Sequence, residues 1–488
     1  MILIAYQNTE FSGPITYMLN LIFSVYQVNY QVISYTELSE ARLDTASLVV
    51  SYGKQEPEGS FENHIHIYES PLFGRQYLQP ESLPKLPLQR FKELPIIYPG
   101  GGPLSDWVIV QEDQVGHRAI KTTIDIVASS FFMLTRYEEV IASVLDKFDR
   151  FPASASLAFT EGFLDRPIVN EYIELLWKWV TRFNLGLERK EMWDSRDFAL
   201  CLTHDVDILK KYHWYPPLRT MANLLLRHGD LKKSSALAQE YLSVKLGIRD
   251  DPYDTFDYLI KLSEKYGFSS SFYFMSGGET DYDGHYEADT PQVVSLMKKI
   301  QQHGFEIGLH TSFDAYKNPT MIASEKTRLE RNLGNPVLGG RQHYLRWKTP
   351  ASWRAREDAG LKYDTSLSFA DQEGFRAGMC LPYKPFDVLA NRVMDIWELP
   401  LIVMDGTLHT YQKLSPEEGF NRIKNLINVV KRYKGVFVIL WHNSSLDWYN
   451  WPGWRHTYEG LLDYLGEQNV LGKTALEIIQ RWESRSMS

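Results

Sequence analysis

The sequence predicts an α/β protein. A smaller α/β region leads, and a parallel sheet of seven strands follows, close to the number that closes a (β/α) barrel. Three observations carry this. Short apolar runs recur through the second half, at Phe198–Thr203, Ser270–Met275, Phe305–His310, His343–Trp347, Lys362–Ser366, Ile396–Leu399 and Val436–Trp441. Helical patterns separate several of them, which is the rhythm of parallel strands joined by crossover helices. Polar residues cluster where the runs end, at the edge where barrels carry their chemistry.

The first half alternates in a similar way. Met1–Tyr6, Ser47–Ser51 and His64–Tyr68 have the apolar content of buried strands, and Pro14–Tyr26 that of a helix. A long helix is expected over Lys121–Ala142, where Ile124, Val127, Phe131, Leu134 and Val140 recur at helical spacing, and a second over Ile168–Phe183. The run Pro99-Gly100-Gly101-Gly102-Pro103 is a turn. A phosphate cradle would need a helix after it, and Pro103 follows instead. Leu185–Asp197 is polar and aperiodic, which divides the chain into 1–190 and 198–485. An insert at 208–254 leaves the end of the first barrel strand, where it could cover a site.

Lys and Arg number 52 against 61 Asp and Glu, a net charge of −9. That balance argues against a nucleic-acid partner, which needs a basic face. The two cysteines, Cys201 and Cys380, form no CxxC pair. A disulfide framework is not expected, and a reducing compartment fits. The N-terminus lacks the basic start and apolar run of a secretory signal. Ile15–Val28 is interrupted by Tyr17, Asn20, Ser24 and Gln27, too short and polar to span a bilayer. A soluble cytoplasmic protein without a transmembrane segment is the expectation.

Four strand ends carry candidate chemistry. The first reads Thr203-His204-Asp205-Val206-Asp207. Carboxylates two residues apart on a strand point the same way and repel, so a cation or a shared proton is expected between them. One could bind a metal while the other handles a proton, or the pair could cap the next helix. The third run ends in His310, four residues before Asp314; a histidine there is a metal ligand or a hydrogen-bonded loop residue. The fourth segment holds Arg341, His343 and Arg346 ahead of Pro350, and cations inside a barrel are costly unless they face a site. The last run ends in His442, a proton donor at the rim.

In this order of motifs, residues 198–485 resemble the polysaccharide deacetylases of carbohydrate esterase family 4, the NodB-homology fold. The resemblance implies a distorted (β/α) barrel of about seven strands. Carried over, Asp205 matches the catalytic base, Asp207 and His310 match metal ligands, and His442 matches the general acid. Trp397, Glu398 and Asp405 lie where the family keeps the groups that orient that histidine. The usual second motif is His-x-x-x-His, and here its fifth position is Asp314. Either Asp314 or His343 therefore supplies the third ligand, and either Arg341 or Arg346 serves the arginine motif. The N-terminal part resembles the uncharacterised domain that precedes such deacetylases, through Phe132-Met133-Leu134-Thr135-Arg136-Tyr137-Glu138-Glu139 and Arg166-Pro167-Ile168-Val169-Asn170-Glu171-Tyr172.

The resemblance implies a divalent metal, zinc by its ligand chemistry, and hydrolysis of N-acetyl or O-acetyl groups on a glycan or its lipid- or nucleotide-linked precursor. Trp347, Trp441 and Trp448 could stack on sugar rings or fill the core equally well. Two other readings use the same residues: a binding protein of polysaccharide assembly with a degenerate site, and an amide hydrolase for a small molecule.

Overall fold

Apolar runs and amphipathic helices condense into two sheets in the computed structural model, which describes every residue except 41–45, 115, 213–216, 229, 285 and 487–488. The first sheet contains β1 (Ile2–Tyr6), β2 (Tyr30–Ser34), β3 (Leu48–Gly53) and β4 (Asn63–Tyr68). After a two-stranded ribbon, β5 (Gln89–Phe91) and β6 (Leu94–Ile96), come β7 (Val108–Glu112) and β8 (Arg118–Thr122). The order is β2-β1-β3-β4-β8-β7. All neighbours are parallel except the edge pair β7 and β8. The helix Ser12–Tyr26 buries Ile15, Met18, Leu19 and Ile22, an apolar stripe at helical spacing.

The expected helix over Lys121–Ala142 divides into shorter elements. Lys121 and Thr122 end β8, and the Asp125 carboxylate accepts from the Ala128 amide to start a helix at Ile126. That helix stops at Leu134, and Arg136 takes a left-handed φ of 51° before a short second helix, Tyr137–Ile141. Helical spacing runs through this turn because the apolar residues on both sides enter the same core.

The second sheet contains β9 (Phe198–Val206), β10 (Ser270–Phe274), β11 (Glu306–Thr311), β12 (Gly339–Gln342) and β13 (Tyr363–Asp364). A separate ribbon, β14 (Phe386–Asp387) with β15 (Arg392–Val393), precedes β16 (Trp397–Glu398), β17 (Val403–Met404), β18 (Val436–Leu440) and β19 (Val470–Gly472). The order is β16-β13-β12-β11-β10-β9-β18-β17, with β19 also on β9. Every pairing is parallel. The sheet curls into an open barrel in which β16 and β17 are the unjoined ends.

The sheet has nine strands where seven apolar runs predict seven. The two additional strands, β17 and β19, have two and three residues and lie outside the seven runs. The fourth strand also lies earlier than His343–Trp347. It is Gly339–Gln342, and His343–Leu345 forms a tight turn because Tyr344 and Leu345 have left-handed φ of 59° and 52°. Two glycines hid this strand from the apolar pattern, and packing requires one of them. A Cβ on Gly340 would lie 1.9 Å from the Leu309 carbonyl oxygen.

One buried cluster extends from Ile2 to Trp482 and draws on both sheets. Among the described residues no helix is long and apolar enough to cross a membrane.

The first sheet also buries a polar group. The Ser51 hydroxyl lies 2.7 Å from both His64 Nε2 and His66 Nδ1. Burial lowers the two histidines to about 4 and about 3. Folded values below the unfolded value mean that the unfolded chain takes up protons first. Stability is therefore full above about pH 6.5, the unfolded value, and is lost as pH falls towards 4. Thermal melts across that window should show the loss, and His64→Gln/His66→Gln should flatten the slope.

Candidate active site

The carboxyl ends of β9, β11, β12 and β18 converge on a cavity of about 260 Å³ lined by Asp205, Asp207, His310, His343 and His442. Asp205 is buried on β9. Its Oδ1 accepts from Arg341 Nη1 at 3.0 Å. The same nitrogen donates to Thr203 Oγ1 at 2.7 Å, and Arg341 Nε donates to the Thr365 carbonyl at 2.9 Å. This guanidinium ties β9, β12 and the end of β13 together from inside the barrel. Arg346 points elsewhere, with Nη1 on Asp314 at 2.8 Å and Nη2 on Asp149 at 2.9 Å. Of the two arginines, Arg341 reaches Asp205.

Asp207, His310 and His343 place one ligand atom each within 4.8 Å of one another. His310 Nε2 is 3.0 Å from His343 Nδ1 and 3.1 Å from Asp207 Oδ1. The opposite nitrogens face carbonyls: His310 Nδ1 lies 3.0 Å from the Arg341 oxygen and His343 Nε2 2.7 Å from that of Tyr282. A carbonyl only accepts, so each ring carries a proton on its outer nitrogen and aims the inner one at the other ring. Two imidazole lone pairs and a carboxylate then meet, which requires a cation or a proton between them. Asp207 Oδ1 is moreover a buried oxygen without a hydrogen-bond donor. This donor set fits a divalent metal ion.

The electrostatics agree. Burial opposes ionisation of Asp207, but His343, His310 and His442 outweigh it and hold its pKa well below the carboxylate range. Burial holds His343 below its ordinary value, on the neutral side that a ligand needs. Burial also pulls on His310, but Asp205 and Asp207 raise it, so a proton there competes with a metal. Asp314 lies apart: its side chain is 58% exposed and paired with Arg346. The sequence alternatives for the third ligand thus separate in space. The turn after β12 brings in His343, and the turn after β11 directs Asp314 outward.

His442 follows β18 and faces the cluster from the other side, with Nε2 3.5 Å from Asp207 Oδ2. Its Nδ1–H donates to Asp405 Oδ1 at 2.7 Å, and its backbone amide donates to Asp405 Oδ2 at 2.8 Å. Asp405 has no solvent exposure. Burial would lower the imidazole, but Asp405, Asp207 and Asp205 push it up to about 10, so it is cationic at neutral pH. Glu398 does not reach this pair; it accepts from Trp353 Nε1 and the Leu367 amide. Trp397 lies under the Lys384 ammonium.

Trp347 and Trp441 are core residues, each 1% exposed. Trp448 is partly exposed and donates to Glu240 at 2.6 Å. The aromatics that line the cavity are Tyr344, Tyr411 and Trp451. The sequence reading did not single out these three, because isolated aromatics in loops follow no period.

It also missed a contribution from the first half. Arg150 lines the cavity and donates to the Tyr344 carbonyl at 3.0 Å and the Tyr411 hydroxyl at 3.1 Å. Asp146 anchors it at 2.8 Å. The Phe148 carbonyl accepts from Arg346 Nε at 3.0 Å, and the Phe148 ring packs on Tyr282, whose carbonyl holds His343. Residues 146–150 thus clamp the left-handed turn that presents His343. No local signal marks Arg150, which is nearly 200 residues from that turn.

A family of unknown function, DUF7033, matches residues 2–184. No curated protein matches the chain. Among solved structures, the chain is similar to the Puue allantoinase (13% identity, 60% of this chain, 92% of that one, TM-score 0.40). It is also similar to a polysaccharide deacetylase from Bacillus cereus (11%, 57% and 91%, TM-score 0.31). A third is a carbohydrate esterase family 4 pseudoenzyme from Bacillus anthracis (9%, 58% and 66%, TM-score 0.29).

Elemental analysis after dialysis against zinc tests the ligand set. The wild type should retain about one ion per chain. Asp207→Ala and His343→Ala should lose it, and Asp314→Ala should keep it. The clamp is tested by titrating metal into Arg150→Ala. Affinity should fall about tenfold to a hundredfold, the range for partners that orient a ligand, and Arg150→Lys should recover part of it.

Proposed function

We propose that this chain is a metal-dependent hydrolase that removes acetyl groups from an amino-sugar glycan or its lipid- or nucleotide-linked precursor. The observation that carries the reading is the facing pair of imidazole lone pairs on His310 and His343, closed by Asp207 and flanked by Asp205 and His442. Asp207, His310 and His343 would hold zinc. The bound ion supplies Lewis acidity to the acyl carbonyl and the attacking water.

The chain's own residues divide the proton transfers. Asp205 takes the proton of the attacking water through its carboxylate. Arg341 fixes that carboxylate and keeps a compensating charge beside it inside the barrel. His442, cationic at neutral pH, delivers a proton from Nε2 to the leaving amine as the carbon–nitrogen bond breaks. Asp405 holds the opposite nitrogen, which fixes the ring and stabilises its charge. The products are acetate and a free amine. Tyr344, Tyr411 and Trp451 offer faces for sugar rings at the cavity wall.

Acetate release from N-acetylglucosamine oligomers by the zinc-loaded chain tests the proposal. Asp205→Asn and His442→Ala should each slow release about a hundredfold to ten-thousandfold while the metal stays bound. If the loaded chain binds oligomers without releasing acetate, the reading as a glycan-binding protein with a degenerate site replaces this one.

A further inference from the structure

The insert after β9 has a surface unlike the rest of the molecule. We propose that its two helices, Leu218–His228 and Leu231–Lys245, dock on an anionic lipid bilayer, with outward leucines in the acyl boundary and lysines among the headgroups. This does not depend on the hydrolase reading.

Charge is the first observation. The insert, residues 208–254, contains eight Lys and Arg against five Asp and Glu, a net of +3 inside a chain of −9. Exposure is the second. Leu226 is 86% exposed, Ile248 75%, Leu231 73% and Leu246 71%, with Leu218, Leu225 and Leu242 exposed as well. Periodicity arranges them. Leu218, Leu225 and Leu226 share one face of the first helix, and Leu231, Leu242 and Leu246 one face of the second. The opposite faces, with Met221, Leu224, Leu237 and Val244, close a small core with Tyr212 that is separate from the main one. The insert therefore has apolar residues on both sides, and only the inner side is covered by the chain.

The inner side also engages the acidic group of the second helix. Glu240 is buried and accepts from Lys211, Tyr212 and Trp448. Lys211 bridges further to Asp447 at 2.8 Å, five residues beyond His442. The insert is thereby fixed to the rim of the cavity. Lys232 and Lys233 are exposed next to Leu231, whereas Lys245 donates to the Tyr212 carbonyl and Arg249 pairs with Glu240 on the inner side.

A cationic helical pair with an exposed leucine face lies in a bilayer interface when the lipids are anionic. A second copy of the same face would bring two net-positive inserts together, and like charges directly opposed disfavour that contact. Neither helix crosses the bilayer. The element lies on the membrane, and the cavity opens next to it.

Flotation of the full chain with vesicles tests this. Wild type should float with phosphatidylcholine–phosphatidylglycerol vesicles and release as salt is raised, because screening weakens the headgroup attraction. The triple variant Leu226→Gln/Leu231→Gln/Leu246→Gln should lose about tenfold in affinity per leucine removed from the acyl boundary. Lys232→Glu/Lys233→Glu should weaken binding to anionic vesicles. Both variants should keep the wild-type circular dichroism and zinc content, since these side chains are exposed. The proposal is overturned if wild type floats with no vesicle or if the triple variant floats equally well. It is also overturned if sedimentation velocity shows a concentration-dependent dimer that the triple variant abolishes, which would make a second copy the occupant. Vesicle binding needs neither metal nor turnover, so its failure and that of the hydrolase reading are distinguishable.

Discussion

Two imidazole rings whose inner nitrogens lie 3.0 Å apart, with a carboxylate beside them, form the constraint on which the centre of this molecule depends. Lone pairs that converge in a buried space repel, and only a positive charge between them removes the penalty. The surrounding architecture holds the groups in this position. Backbone carbonyls of Arg341 and Tyr282 fix the two tautomers, and β9, β11 and the turn after β12 supply one group each. Parallel strands suit the task because their carboxyl ends all open on one rim.

Charge is balanced in layers around that centre. Arg341 compensates Asp205 inside the barrel, and Asp405 compensates His442 at the rim. Each pair is buried and hydrogen-bonded on several sides, the condition under which buried ions are tolerated. One small cavity is thus lined by a carboxylate held by a guanidinium and an imidazole held cationic by carboxylates.

The first half is part of this arrangement. Arg136, buried, donates to Glu138 and Glu139, and Glu139 in turn accepts from Arg376 and Thr349 of the second half. Residues 146–150 continue the seam to the turn that presents His343. The segment Phe132–Glu139, which the sequence marks without assigning it chemistry, is thus the buried ionic joint between the two sheets. Left-handed backbone at Tyr344 and Leu345 is unfavourable for residues with a side chain, and it persists where surrounding contacts over-determine it.

The sequence by itself determined the class of fold and the polar residues at the ends of its apolar runs. Apolar runs of five or more residues have a readable period, and Asp205, Asp207, His310 and His442 stand at the ends of such runs. It did not determine which polar groups meet. Gly339 and Gly340 made β12 invisible, because a strand that must lie flat against its neighbours is built from residues without side chains. A turn then moved His343 into the cluster, and a second turn put Asp314 on Arg346. Arg341 and Arg346 are five residues apart, and only the end of β12 between them sends one inward and the other outward. Arg150 enters from a distant part of the chain. Local periodicity reports what a segment buries. Proximity between segments is decided by loop geometry and by long-range packing, which no period records.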